Sequence, residues 1–168
     1  DIIAPTIKGM RKEGMPFTGV LYAGVMITKD GPKVLEYNVR LGDPETQVVL
    51  PRLKTDLVDL CLASSEGLLE NMRLDWDPRA CVCVVMSAKG YPGPYEKGKV
   101  IHGLEEASRE KDVFVFHAGT KKQEDEIVTS GGRVLGVTGL GKDIKTAIQN
   151  AYNGVKKISF DGCFFRTD

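Results

Sequence analysis

The stretch that decides the fold reads Val34-Leu35-Glu36-Tyr37-Asn38-Val39-Arg40-Leu41-Gly42-Asp43-Pro44-Glu45-Thr46-Gln47. In an extended chain alternate side chains share a face. Leu35, Tyr37, Val39 and Leu41 therefore point one way, and Glu36, Asn38 and Arg40 the other. A carboxylate, an amide and a guanidinium in a row offer little to a packed core. They offer oxygen ligands to a hard divalent ion, and a cation to the anion that ion carries. On spacing alone a polar, solvent-facing strand edge accounts for Glu36 and Asn38 equally well, and a salt bridge to Asp43 or Glu45 accounts for Arg40. Gly42-Asp43-Pro44-Glu45 then reads as a stiff turn, because the proline fixes its own φ and removes a donor. Its two carboxylates suit an amino substrate, or an orienting partner for Arg40, or ordinary turn chemistry.

Upstream, Gly19 to Thr28 (GVLYAGVMIT) is β-branched and apolar on both faces, the pattern of a buried strand, with Gly19 and Gly24 admitting a close backbone neighbour. Lys29-Asp30-Gly31-Pro32 reads as a hairpin turn, and Lys33 to Arg40 as the returning strand. The polar trio thus sits on a central β-hairpin. Before it, Asp1 to about Glu13 spaces Ile2, Ile3, Ile7 and Met10 as an amphipathic helix, with Pro5 in the first turn and Gly14 and Pro16 as the stop. After it, Glu45 to Leu53 leads to a helix cap at Thr55-Asp56. Leu57, Leu60, Cys61, Ser64 and Leu68 then step at helical spacing, with an expected end near Met72. Trp76-Asp77-Pro78 is a loop.

Past residue 78 the texture changes to short strands and glycine turns, so we expect one domain over 1–78 and a compact β-rich domain over 79–168. Ala80 to Ala88, Lys99 to His102, Val113 to Ala118, Ile127 to Thr129 and Arg133 to Thr138 read as strands. Lys89 to Tyr95, Glu124-Asp125-Glu126 and Ser130-Gly131-Gly132 read as turns, while Leu104 to Arg109 is too short to assign. Asp143 caps a last helix whose apolar stripe is Ile144, Ala147, Ile148, Ala151 and Val155. The fold class is α+β.

The chain has 168 residues, 42% hydrophobic and 27% charged, with zero formal net charge, an ordinary globular composition. It carries no basic footprint for nucleic acid and no apolar run near the roughly 18 residues of a membrane span. Its first residues are not a signal peptide, and it begins without methionine, so it reads as a piece of something longer. Its four cysteines (Cys61, Cys81, Cys83, Cys163) include no Cys-x-x-Cys pair, and its two histidines, His102 and His117, are far apart. A zinc site is not expected, and buried thiols in a reducing cytosol are.

The run Glu36-x-Asn38-x-Arg40-x-Gly42-Asp43-Pro44-Glu45-Thr46-Gln47 resembles the signature of the phosphoribosylamine–glycine ligases, or glycinamide ribonucleotide synthetases, ATP-grasp enzymes of purine biosynthesis. Thr18-Gly19-Val20-Leu21-Tyr22-Ala23-Gly24, Gly90-Tyr91-Pro92-Gly93, Phe116-His117-Ala118-Gly119-Thr120 and Gly131-Gly132-Arg133-Val134-Leu135 resemble that family in the same order. The likeness covers essentially the whole chain. In animals this activity forms the first domain of a trifunctional protein, which the sequence resembles.

The resemblance implies the end of an ATP-grasp domain, an antiparallel sheet with helices, followed by a small β-rich C-terminal domain with a helix. It implies ATP with Mg2+ or Mn2+, glycine and 5-phosphoribosylamine as substrates, and a cytoplasmic enzyme completed by upstream N-terminal and ATP-binding segments. It implies no nucleic-acid or membrane partner. Glu36 and Asn38 match the family's metal ligands at the nucleotide phosphates, and Arg40 a stabiliser of the transferring phosphoryl. Asp43 is our inference for a partner of the glycine ammonium. Many relatives in the superfamily also carry an acidic ligand on the preceding strand, and Val20 to Thr28 has no acid. The glycine turns suit either a ribosyl phosphate cradle or tight packing. The competing readings are another ATP-grasp carboxylate–amine ligase and a non-catalytic ATP-grasp scaffold.

Overall fold

The computed structural model describes residues 2–168. Asp1, the expected start of the first helix, lies outside them. The chain divides into two compact units, Asp1–Thr46 with Leu53–Trp76, and Gln47–Arg52 with Asp77–Asp168.

In the first unit, helix α1 (Ile3–Lys12) ends at Glu13, followed by Gly14 in a left-handed conformation (φ +79°). Strands β1 (Tyr22–Thr28) and β2 (Gly31–Asn38) pair antiparallel around the two-residue turn Lys29-Asp30. Thr28 pins that turn: its hydroxyl donates to Gly31 O at 2.8 Å and accepts from Asp30 N at 3.2 Å. Gly31 supplies the positive φ (+91°) that the turn demands.

Two expectations change in this hairpin, which forms a two-stranded sheet of its own among the described residues. Its strands are not buried: Ile27 is 76% exposed and Leu35 65%, because β1 has one partner strand among the described residues and its faces stay open. And β2 stops at Asn38, two residues short of Arg40.

A short helix, α2 (Thr46–Val49), and a 3₁₀ turn (Leu50–Arg52) follow. Neither carries a readable periodicity. Helix α3 (Leu57–Glu66) starts where expected, with the Asp56 carboxylate accepting from Val58 N at 2.7 Å. It ends well before Met72, because Gly67 takes the left-handed cap (φ +71°) and its N–H turns back onto Ala63 and Ser64 carbonyls. Leu69–Asn71 is a 3₁₀ turn.

The second unit is built on a four-stranded antiparallel sheet ordered β4 (Val113–His117), β7 (Arg133–Gly141), β3 (Ala80–Ala88), β8 (Cys163–Phe164). Helices α4 (Leu104–Ser108) and α5 (Ile144–Val155) pack on it, and β5 (Thr120–Gln123) pairs with β6 (Glu126–Thr129) as a small hairpin. Strand β7 is buried from Val134 to Gly141. Alternation is absent from RVLGVTGLG because both faces of the strand are covered. On one face Gly139 and Gly141 let α5 close onto the sheet, since a Cβ at either would overlap the helix backbone at Ala147 and, for Gly139, Ala151. On the other, Gly136 faces Cys83, Gln47 and Phe116, and Thr138 Oγ1 donates to Gln47 O at 3.0 Å.

Met86, Leu135, Val137, Ala151 and Val155 form the centre of the core. Each large apolar side chain withdrawn there stabilises by about 1.5–3 kcal/mol. Asp143 caps α5 as expected, accepting from Thr146 N at 2.7 Å, and that bond holds its carboxyl below the usual carboxylate range. Of the expected stripe, Ala147, Ala151 and Val155 are buried, whereas Ile144 is 60% and Ile148 40% exposed.

One more expectation changes in this unit. Lys99 to His102 is not a strand: Val100 and His102 make only isolated bridges, to Val128 and Ser159. Lys121 and Lys122 lie exposed in β5. Arg79 closes the start of the sheet, its guanidinium gripping Asp77 at 2.7 Å and Asp112 at 2.7 Å, bonds that raise its already high pKa further. No helix among the described residues is long and apolar enough to cross a membrane.

Candidate functional site

The candidate residues of the quoted stretch all lie in the first unit. Glu36 and Asn38 occupy alternate positions near the end of β2, and Asn38 Nδ2 donates to Glu36 Oε1 at 3.0 Å. The alternation therefore puts both on one face. That bond uses one oxygen of Glu36 and the amide nitrogen of Asn38. It leaves Glu36 Oε2 and Asn38 Oδ1, two hard oxygens from side chains two positions apart. Such a donor set suits Mg2+ or Mn2+, which take one or two protein oxygens and complete their shell with water and phosphate. Among the described residues no three His, Cys, Asp or Glu side chains gather as a metal site. The pair fits an ion shared with a phosphate and not an all-protein cage.

The register explains why the face has room. Across the hairpin Tyr22 lies opposite Asn38, and Gly24 opposite Glu36. Between Gly24 and Val25 the register shifts, so that Val25 meets Val34 and Leu35 is left as a bulge.

Arg40 lies beyond the strand, in a bend, where its guanidinium donates to the Leu41 carbonyl at 3.2 Å. Its place is set by that bend, not by the strand's alternation. The following turn closes on itself. Thr46 N donates to Gly42 O at 2.9 Å, and the Thr46 hydroxyl donates to the same oxygen. The Asp43–Pro44 bond is cis. The Glu45 side chain folds back over Gly42, where a Cβ would overlap Glu45 Oε2. Glu45 Oε1 then faces the Tyr22 hydroxyl at 3.4 Å.

Tyr22 is held above the ordinary phenol range, chiefly by the negative charge of Glu45, with Glu36 adding to it and Arg40 opposing it. The contact at the Tyr22 hydroxyl is that of Glu45 Oε1, at 3.4 Å. Tyr22 and Glu45 as partners, and Gly24 as the residue facing Glu36, are not visible from spacing. The only signal for Gly24 was a glycine in a strand. Gly19, grouped with it as a close-approach glycine, faces open space.

In the glycine turns of the second unit some glycines sit too close to their neighbours to carry a side chain. A Cβ at Gly90 would overlap Pro94 O, and one at Gly132 would overlap the Tyr91 ring. The N–H groups of Ser130 and Gly131 are spent on Gly119 O, at 2.7 and 3.1 Å. His117, exposed at the end of β4, shares a bond with Thr120 Oγ1 through Nδ1 at 3.0 Å, a local tie across the turn into β5. The cysteines form no disulfide among the described residues; Cys61 is exposed rather than buried, and the others are half-buried. Burial, and then the neighbouring Cys83, pushes the Cys81 thiol up to about 11, so it stays protonated at neutral pH and is no nucleophile.

Comparison with known proteins gives two matches that together span most of the chain. The family described as phosphoribosylglycinamide synthetase, C domain, matches residues 81–168, and that described as phosphoribosylglycinamide synthetase, ATP-grasp (A) domain, matches residues 1–46. Among curated relatives, the phosphoribosylamine–glycine ligase of Caldanaerobacter subterraneus subsp. tengcongensis is 52% identical over 99% of this chain and 39% of its own length. That of Escherichia coli O157:H7 is 56% identical over 99% of the chain and 39% of its own length. The chain thus spans about two fifths of the relatives it matches. The solved phosphoribosylamine–glycine ligase of Thermotoga maritima superposes with a TM-score of 0.82 at 36% identity, over 95% of this chain and 39% of that one. The N5-carboxyaminoimidazole ribonucleotide synthetase of the same organism, at 18% identity and a TM-score of 0.60 over 94% of this chain and 41% of that one, shares the fold.

Proposed function

We propose, from a chain that belongs to the phosphoribosylglycinamide synthetase family, that the intact protein is an ATP-dependent ligase joining glycine to 5-phosphoribosylamine in the cytoplasm. Residues 1–78 are then the end of its ATP-grasp domain and residues 79–168 its C-terminal domain, with the adenine pocket supplied by the upstream segments. The observation that carries this is the Glu36–Asn38 pair, joined at 3.0 Å on one strand face and followed by a closed turn whose Glu45 returns to Tyr22.

The reaction needs two transfers. A carboxylate oxygen of glycine attacks the γ-phosphorus of ATP and ADP leaves. The amine of phosphoribosylamine then attacks the glycyl carbonyl carbon, and phosphate departs with the oxygen it took from glycine. Such steps rest on positioning and charge neutralisation. Glu36 and Asn38 would hold the magnesium or manganese ion, which when bound supplies positive charge beside the nucleotide phosphates. Arg40, kept at the bend by Leu41 O, meets negative charge building on the phosphoryl group and the acyl phosphate. Asp43, on the closed turn, pairs with the ammonium of glycine and so fixes which end of the amino acid is activated.

The test is glycine-dependent ADP formation by the full-length protein with phosphoribosylamine supplied. ADP released at a rate set by glycine supports the ligase. ADP formation that ignores glycine in folded, metal-replete protein contradicts it, and would leave a different ATP-grasp ligase or a scaffold.

A further inference from the structure

The residue opposite Glu36 bears on how that carboxylate is held. Gly24 is its cross-strand partner. A Cβ built on Gly24 would lie 3.0 Å from Glu36 Cγ and 3.7 Å from Glu36 Oε1. Methylenes do not approach that closely without one of them moving. Glu36 therefore lies across its neighbouring strand, in the volume a side chain at position 24 would fill, and in that pose its Oε1 receives the Asn38 amide at 3.0 Å. Gly24 needs no left-handed conformation, so its lack of a side chain serves space rather than backbone freedom. Glycine in a strand otherwise costs stability.

We propose that Gly24 is a positioning residue of the ligase site: by leaving its own side-chain volume to Glu36 it sets the Glu36–Asn38 pair in the geometry that binds the divalent ion. This rests on the functional reading above and names the residue on the neighbouring strand that its ion affinity depends on. The strand before Glu36 brings no acidic ligand; its contribution is a vacancy shaped for the ligand next door. Residues that orient a metal ligand without touching the ion commonly change affinity 10–100-fold. A displacement of a few tenths of an ångström belongs at the lower end of that range.

The experiment is a Mn2+ titration of the full-length protein in the presence of ADP, followed by the electron paramagnetic resonance signal of unbound Mn2+. It is run on wild type, Glu36→Gln and Gly24→Ala, with each variant's melting temperature measured without metal. The expected result is a loss of affinity of about tenfold for Gly24→Ala, a larger loss for Glu36→Gln, and no lowered melting temperature for Gly24→Ala. Unchanged affinity in Glu36→Gln overturns the underlying site reading. A clear loss in Glu36→Gln with affinity within about twofold of wild type in Gly24→Ala overturns this inference alone, against the tenfold expected. A crystal structure of Gly24→Ala decides the matter should its melting temperature fall: an opened Glu36–Asn38 bond supports the inference, and the bond intact with Glu36 in place refutes it.

Discussion

Glu36→Gln in the full-length protein is expected to lower kcat/KM for glycine-dependent ADP formation by about 10²–10³-fold, the scale on which removing one preorganised electrostatic partner acts. The substitution keeps the length and shape of the side chain, and the glutamine Oε1 can still accept from Asn38 Nδ2, the bond seen at 3.0 Å. What disappears is the negative charge beside the second hard oxygen. The loss should therefore shrink as the divalent ion concentration rises, since a weakened site refills by mass action. Far-ultraviolet circular dichroism and the melting temperature should not change, because Glu36 is an exposed hairpin residue with no part in the core. A rate within threefold of wild type would remove Glu36 from the ligand set, since a lost charge partner is worth far more.

The largest stability effect is expected at a site remote from any chemistry. Gly139→Ala should destabilise the second unit by about 3 kcal/mol, the upper part of the range for overpacking a filled core. A methyl at that position overlaps Ala151 N and Ala147 O, both backbone atoms of α5. A side chain can swing aside, but a helix backbone buried against β7 and β3 can only shift as a whole. The shift would loosen Ala147, Ala151 and Val155, which are at most 1% exposed. Urea denaturation reads the change as a lower midpoint with an unchanged slope. Gly9→Ala is the control: it sits in helix α1 with nothing within 4 Å of its Cβ position, so it should gain helix propensity and lose no stability.

Elements whose signals are local were legible. Asp143 caps the helix it was expected to cap, Lys29-Asp30 turns the hairpin, and Ala80–Ala88 is a strand. Elements whose limits depend on a tertiary partner were not. The helical spacing continues past Gly67 to Leu68, yet the left-handed glycine ends α3, since a cap outweighs one more apolar position. Ile144 and Ile148 fit a helical stripe by spacing, but the buried arc of α5 is the small-residue one, Ala147 and Ala151, set by how closely Gly139 and Gly141 admit the helix.

The candidate site divides the same way. Glu36 and Asn38 could be read from alternation alone, because a two-residue period is a property of one strand. Arg40 could not be placed, since β2 stops before it and the guanidinium is held by the next carbonyl in a bend. The neighbours Tyr22, Gly24 and Glu45 depend on register. The bulge at Leu35 offsets that register by a residue, and no feature of the one-dimensional pattern announces it.

The proposed ligase activates glycine as an acyl phosphate. Glycine labelled with ¹⁸O in its carboxylate tests this most directly, in a full turnover with ATP and phosphoribosylamine, reading the inorganic phosphate by mass spectrometry. Each phosphate released should carry one labelled oxygen, because the oxygen that attacks the γ-phosphorus leaves with it. Unlabelled phosphate, formed alongside the glycine-containing amide, would show that the carboxylate never bonded to phosphorus and that no acyl phosphate forms.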